Sequence, residues 1–431
     1  MTKEKRVVEW IKTALIVLLT MSAMVLVWRA ELFSDYINAI PFFGSIAEFV
    51  RGASVTAETH GVKLLEAARP LSIVITNKDG EHYGIKYDIE ERNLVYDQTS
   101  SIIGEALGSI ASIEEISEDD WRKALSGPGV YFEYTVPIKL SVLNGWLDAH
   151  MPDTVKDVLI RRIYVAFGED KSRIYYQDIR NNLFFGADTA SAAGKLQALE
   201  KYDANDAVFA FETDIQAAKV APYMLIMKNI DHFDVSVGSV SREEELLDMV
   251  IIALGHGEEI DTTYAYRDSK NVLNCVGAQF NIKVNTDGKV FYRRTDLPPH
   301  GVEEHIKNAS EMIERARDIV ANTIGKECGD AEVFFESENI AGDSGLVTFA
   351  YYIAGGRMYL QQNVHAAQVR FSAGMVTDVV LVFRKFLITE ERVNLLPEKQ
   401  TFAAAGGEFL LCYSDAGLEM LEPSWIRVGE S

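Results

Sequence analysis

"GPGVYFEYTVPIKLSVLNGWL", Gly127 to Leu147, poses the fold question for this chain. After the glycine–proline turn, Val130, Phe132, Tyr134 and Val136 recur at period two, the spacing that lines one face of a strand. Tyr131, Glu133 and Thr135 fall on the other, more polar face. Pro137 has no N–H to give to a ladder and is expected to end the strand. Ser141 is then placed to cap a short helix in which Leu143, Trp146 and Leu147 recur at helical spacing. A carboxylate among aromatics invites a catalytic reading of Glu133. Strand, proline and helix nevertheless account for every residue type, so the stretch reads as a packed corner of an α+β domain.

The flanking sequence repeats this grammar. "LSIVITNKDG" is strand-like and closes on a turn at Asp79–Gly80. A helix is expected over Thr99–Ile113, and Ser117 reads as the N-cap of "EDDWRKAL", with Asp120 three residues on as an imperfect capping box. "RRIYVAFGED" and "SRIYYQDIRNNLFFG", broken at Gly168–Asp170 and Asn181–Asn182, predict an antiparallel meander. In the second half, Arg242–Gly255 has helical apolar spacing and a terminal glycine, with acidic residues in its first turn. It precedes "TTYAYRD", "LNCVGAQFNIKVN" and "GKVFYRRTD", turning at Asp287–Gly288. A longer amphipathic helix, Val302–Gly325, precedes "AEVFFESEN", "GLVTFAYYIAGGRMYLQQ", "AAQVRFSAG" and "VTDVVLVFRKF". Both segments read as a helix followed by an antiparallel β-meander, a topological repeat within an α+β fold.

The N-terminus carries a different signal. Lys3, Lys5, Arg6 and Lys12 precede the apolar run Thr13–Trp28, and Trp10 and Trp28 bracket it as interfacial aromatics do. Counted from Trp10, the run approaches the roughly 20 residues that cross a bilayer as a helix. It is longer than a usual signal-peptide core, and no small-x-small cleavage site follows it, which favours an uncleaved signal-anchor. The basic flank predicts a cytoplasmic N-terminus and an extracellular bulk on a single-pass membrane protein. The expected organisation is a cytoplasmic tail (1–12), a transmembrane anchor (13–28), a juxtamembrane connector (29–69), an N-terminal α+β domain (70–240), and two helix-plus-meander domains (241–300 and 301–431).

Composition narrows the function. A net charge of −22 over 431 residues argues against gripping a nucleic-acid backbone. Cys275, Cys328 and Cys412 are too widely spaced for a zinc site or a disulfide framework, although one disulfide is compatible with an extracellular bulk. No HExxH, GxSxG, P-loop or EF-hand pattern occurs, and "NTDGKV" is better explained as a hairpin turn than as a calcium loop. His256 reads as a polar flank after a helix end, His300 and His305 as neighbours of the long helix, and His365 as an exposed linker or strand-end residue. Among 64 acidic residues no pair is singled out for glycoside hydrolysis. No catalytic, cofactor or metal residue is therefore assigned.

The order of these features resembles a known family. The opening stretch, the signal-anchor, the tract Gly345–Phe386 and the ending "SDAGLEMLEPSWIRV" are together similar to the YycH/YycI regulators, with a large N-terminal domain of the YycH type. The resemblance implies a non-enzymatic extracytoplasmic partner of a WalK-like sensor histidine kinase that governs cell-wall homeostasis, acting beside a sister YycI-like protein. It implies contact through the anchor helix, where Thr20, Ser22 and Ala23 are small or hydroxylated enough for close helix approach. Two other readings stand beside it. A cell-wall hydrolase or binding module would show convergent carboxylates or an exposed aromatic row, and a PepSY-like protease inhibitor would act through the helix-plus-meander units.

Overall fold

The strand of the opening stretch lies third from the edge of a seven-stranded antiparallel sheet. The computed structural model describes residues 66–427 except 154, 169–170, 191–194, 196–198, 215–222, 229, 258–262, 296–305, 362–363 and 406–408. All of these belong to one unit, Leu64–Ser431. In chain order the first part contains β1 (Ser72–Thr76), β2 (His82–Ile85), α1 (Ile89–Gly108), β3 (Ile113–Ile116), α2 (Glu118–Leu125), β4 (Gly129–Lys139), α3 (Leu140–Trp146), β5 (Leu159–Phe167), β6 (Ser172–Asp178) and β7 (Leu183–Thr189). The sheet order is β2-β1-β4-β5-β6-β7-β3.

Both faces of this sheet are covered. Val130, Phe132 and Tyr134 of β4 face a core built with Val95, Ile103 and Leu143 from α1 and α3. Tyr131 faces a second core with Trp121, Leu125, Tyr164, Phe184 and Phe209. The face carrying Glu133 is therefore not a solvent face: Gly129–Tyr134 are all buried. Pro137 does not end β4 either. The strand continues to Lys139 through a register shift between Glu133 and Ile138, and a bulge of this kind leaves unpaired positions where a missing N–H costs little. The next helix starts at Leu140 without a capping bond from Ser141. Instead the Ser141 N–H donates to Asp157 Oδ1 at 3.0 Å, a partner 16 residues away.

Local signals elsewhere match the chain. Ser117 accepts from the Asp120 N–H and Asp120 accepts from the Ser117 N–H, a complete capping box. The helix expected over Thr99–Ile113 runs instead from Ile89 to Gly108, capped by Asp88, while Ile113 opens β3. Its polar first turn hides the apolar period that begins at Val95.

The second part contains β8 (Val208–Phe209), β9 (Leu225–Ile226), β10 (His232–Gly238), α4 (Glu243–Ala253), β11 (Tyr264–Arg267), β12 (Leu273–Val276), β13 (Phe280–Val284), β14 (Lys289–Arg294), α5 (Ala309–Ala321) and α6 (Ile324–Glu327). After it come β15 (Glu332–Ala341), β16 (Ser344–Ile353), β17 (Gly356–Leu360), β18 (Ala367–Ser372), β19 (Met375–Val382), β20 (Lys385–Val393), α7 (Glu398–Ala405), β21 (Phe409–Asp415), β22 (Met420–Leu421) and β23 (Pro423–Arg427). Gly255 after α4 and Gly288 in the β13–β14 turn take the positive φ their positions suggest. Asn308, not a residue near Val302, caps the described long helix.

Strands from both meanders enter one sheet, β11-β12-β13-β14-β19-β18-β16-β17-β21-β23, with β15 added on β16. The join is the β14–β19 pairing, where Tyr292 faces Val379. The sheet is not wholly antiparallel. β17 and β21 run parallel, which requires the crossover that β18–β20 and α7 provide. A third sheet, β20-β10-β22, ties β10 to the C-terminal part. Among the described residues no helix is long and apolar enough to cross a membrane; the run Thr13–Trp28 lies outside them.

The two serines separate local from distant capping. Ser117→Ala should lower stability by about 1 kcal/mol, whereas Ser141→Ala should change it by less than about 0.5 kcal/mol. Urea midpoints of the two variants check this, and equal losses would contradict the capping assignment.

Candidate functional site: a buried ionic junction

Glu133 is 3% exposed, so its charge must be answered inside the protein. The β1–β4–β5 register places Ser72 and Arg162 directly beside it. Arg162 donates to Oε1 from Nε at 2.9 Å and lies 2.7 Å away through Nη2, Arg161 is at 3.6 Å, and the Ser72 hydroxyl donates to Oε2 at 3.4 Å. The Arg162 guanidinium also stacks 4.7 Å from the Tyr223 ring centroid. Burial pushes the Glu133 carboxyl up, but Arg162, Arg161 and Lys86 outweigh it and hold it below the ordinary value of 4.5. Glu133 is thus a fixed anion, unsuited to general acid work at neutral pH.

Lys86 leads to a second buried pair. Its ammonium is 2.8 Å from Glu398 Oε1 at the start of α7, and neither side chain is more than 5% exposed. The Tyr87 hydroxyl donates to the same oxygen, and the Met227 N–H donates to Oε2 at 2.6 Å. Burial and the nearby Glu398 charge drive the Tyr87 hydroxyl well above its ordinary value, so it remains a donor. His232 packs edge-on against Tyr87 and Trp425, and burial lowers its pKa. Gly355 turns here at φ +70°, and a side chain at that position would meet the Lys86 carbonyl, so both the backbone and the close approach require glycine.

Three further contacts join the first sheet to the second. Arg92 of α1 pairs with Glu332, Lys139 of β4 pairs with Glu338 at 2.6 Å, and the Trp146 indole N–H donates to Glu314 of α5. Trp146 also meets Phe335 edge-on at 6.1 Å. A cleft of about 250 Å³ opens beside them, lined by Arg69, Trp146, Arg317, Cys328, Glu332 and Phe335. The opening stretch is therefore where the two halves meet, as well as a corner of the first.

One constellation resembles a hydrolytic triad. Thr76 Oγ1 lies 2.9 Å from His82 Nδ1, and His82 Nε2 lies 3.0 Å from Glu212. Thr76, however, is fully buried, so no substrate carbonyl reaches its hydroxyl in this fold, and the chain of bonds serves to tie the β1–β2 hairpin to Glu212. Its members lie 6 and 130 residues apart, which is why no sequence pattern reveals them.

His256, expected as a polar flank, is buried: its ring lies 4.3 Å from Phe280 and its Nε2 is 3.0 Å from the Tyr292 hydroxyl. His365 lies just before the start of β18, a strand-end position, and 2.5 Å from Glu336, which Arg357 also holds. Cys275, Cys328 and Cys412 are buried free thiols, and burial raises all three, Cys328 to about 11. His300 and His305 lie outside the described residues, as do the proposed anchor contacts Thr20, Ser22 and Ala23.

The fold has a counterpart of known structure. The crystal structure of YycH from Bacillus subtilis matches with a TM-score of 0.55 over 84% of this chain and 94% of that chain, at 13% identity. The chain has a YycH-like fold. An uncharacterized protein from Eubacterium rectale matches at a TM-score of 0.23, with 9% identity over 47% of this chain and 80% of that one, too loose a likeness to bear on the YycH-like assignment. No protein-family model and no curated protein matches the sequence.

Glu133→Gln removes the buried carboxylate charge that faces Arg161 and Arg162 and should cost about 3–5 kcal/mol. Because the folded carboxyl titrates below 4.5, its stabilisation is complete above that pH and is lost as pH falls through the folded value. Urea titrations from pH 7 downward should show an acid-side loss that Glu133→Gln lacks. For the second pair, Lys86→Met and Glu398→Gln should be non-additive by about 1–3 kcal/mol, the double variant being less impaired than the sum of the singles.

Proposed function

We propose that this protein is a non-enzymatic, membrane-anchored extracytoplasmic regulator of a WalK-like sensor histidine kinase, working beside a YycI-like sister protein in cell-wall homeostasis. The observation that carries the reading is the YycH-like fold, which extends over 84% of the chain. The apolar run Thr13–Trp28 with its basic flank supports a single-pass anchor with the bulk outside. The buried anion Glu133 and the closed Thr76–His82–Glu212 constellation favour a part without chemistry.

Regulation of this kind is a difference in binding. The anchor and the outer domains must pack better against one kinase state than against another, and a coupling of about 1–3 kcal/mol changes the balance five- to 150-fold. Thr20, Ser22 and Ala23 are the proposed points of close helix approach.

The full chain should co-purify with the kinase from detergent extracts. Exchanging Thr13–Trp28 for an unrelated apolar helix should alter kinase autophosphorylation while the protein stays in the membrane fraction. Failure to co-purify, together with unchanged kinase output after the exchange, would overturn the proposal.

A further inference from the structure

The large sheet is buried on both faces at β16, where Ala350 and Tyr352 pack with Leu71, but over β11–β14, β19 and β18 it is covered on one side. Leu273, Ile282, Val290, Tyr292, Val369 and Val379 are buried on the side where α4 packs against β12 and β13, and α5 against β16 and β18. The register sends alternate residues to the opposite side. Tyr264, Val276, Asn281, Arg293, Asp378 and Arg370 form one row across six strands. Tyr266, Asn274, Lys283, Phe291, Val380 and Gln368 form the next.

The chemistry of this open face departs from that of the chain. The protein carries a net charge of −22, yet the face presents Lys283, Lys289, Arg293 and Arg370 against a single carboxylate, Asp378. Asp378 is taken by Arg293 at 2.8 Å. Among the described residues no carboxylate lies within ion-pair distance of Lys283, Lys289 or Arg370. Lys289 lies 5.3 Å over the Phe291 ring. At the rim, Tyr264 and Tyr266 are 68% and 43% exposed with their rings stacked at 5.6 Å. Large aromatic groups left in water beside cations that no local anion answers point to an absent ligand that supplies both a stacking surface and negative charge.

We propose that this face binds an anionic polymer of phosphate groups linked through polyol or sugar units, with those units on Tyr264 and Tyr266 and the phosphates on Lys283, Lys289 and Arg370. The proposal rests on the extracytoplasmic location argued above. The layout distinguishes this ligand from an acidic peptide. A peptide would add along the open edge strand β11 through its backbone, leaving Arg370 six strand spacings, roughly 29 Å, away. A chain laid across the strands meets both tyrosines and all three cations. The three charges then act together, and affinity falls steeply with salt.

The test uses the full chain in detergent micelles and synthetic poly(glycerol phosphate) as the probe, with polyglutamate of matched charge as the rival. The wild type should bind the phosphate polymer in preference to polyglutamate, more weakly as salt rises from about 50 to 200 mM. The triple variant Lys283→Glu, Lys289→Glu, Arg370→Glu should lose roughly tenfold or more in affinity with an unchanged melting temperature. Tyr264→Ala with Tyr266→Ala should weaken binding further from the charge-only level. No binding, binding unaffected by these substitutions, or equal binding of polyglutamate would overturn the proposal, the last in favour of an acidic peptide. Kinase co-purification is measured on the same preparations. Its failure counts against the regulatory reading alone, and failure to bind the polymer counts against this face alone.

Discussion

The arrangement turns on charges that cannot reach water. Glu133, Arg162, Lys86 and Glu398 are each at most 5% exposed, so each depends on partners held in place by different parts of the chain. Glu133 and Arg162 come from neighbouring strands of the first sheet; Lys86 follows β2, and Glu398 opens α7 more than 300 residues later. A hydrophobic junction would tolerate sliding, whereas a desolvated ion pair loses several kcal/mol when one partner moves away. The junction therefore fixes how the N-terminal sheet meets the C-terminal part. Trp146, Lys139 and Arg92 reinforce the same seam from the other side.

This constraint gives the fold a division of labour. Both faces of the first sheet are sealed, with Tyr131 and Phe132 in separate cores. The second sheet keeps one face under α4 and α5 and, over β11–β14, β19 and β18, leaves the other open, while β16 is buried on both faces. A rigid seam between a sealed half and an open half suits a protein that receives a contact on one surface and passes it to another, because packed cores transmit displacement instead of absorbing it.

Much of this was legible in the residues where the cause is local. Ser117 with Asp120, Asp287–Gly288 and the acidic start of α4 read correctly because each signal lies within one turn of its effect. The mixed helix-on-sheet character followed from the alternation of helical and strand periods. What stayed hidden depends on distant partners. Glu133 read only as part of the more polar face, since no local pattern reveals Arg162 opposite or the aromatic layer above. Pro137 looked like a terminator because a bulge is a property of two strands, not one. The parallel β17–β21 pair and the His82 relay are likewise set by residues far apart in the chain. For the candidate site the sequence directed attention to Thr20, Ser22 and Ala23, whereas the junction and the open sheet face emerge only from the register.

The pairing of β10 with β20 has a temporal meaning. Ser236 bonds to the Leu387 carbonyl, 151 residues later in the chain. At a synthesis rate of roughly 5–20 residues per second, β10 is complete for about ten to thirty seconds before β20 exists. Through that interval it offers unpaired backbone on both sides, an invitation to wrong pairings. Its bulge between Phe233 and Val235 and its polar Asp234 and Ser236 make it a poor template for such pairing. β10 is thus built to wait for its partner.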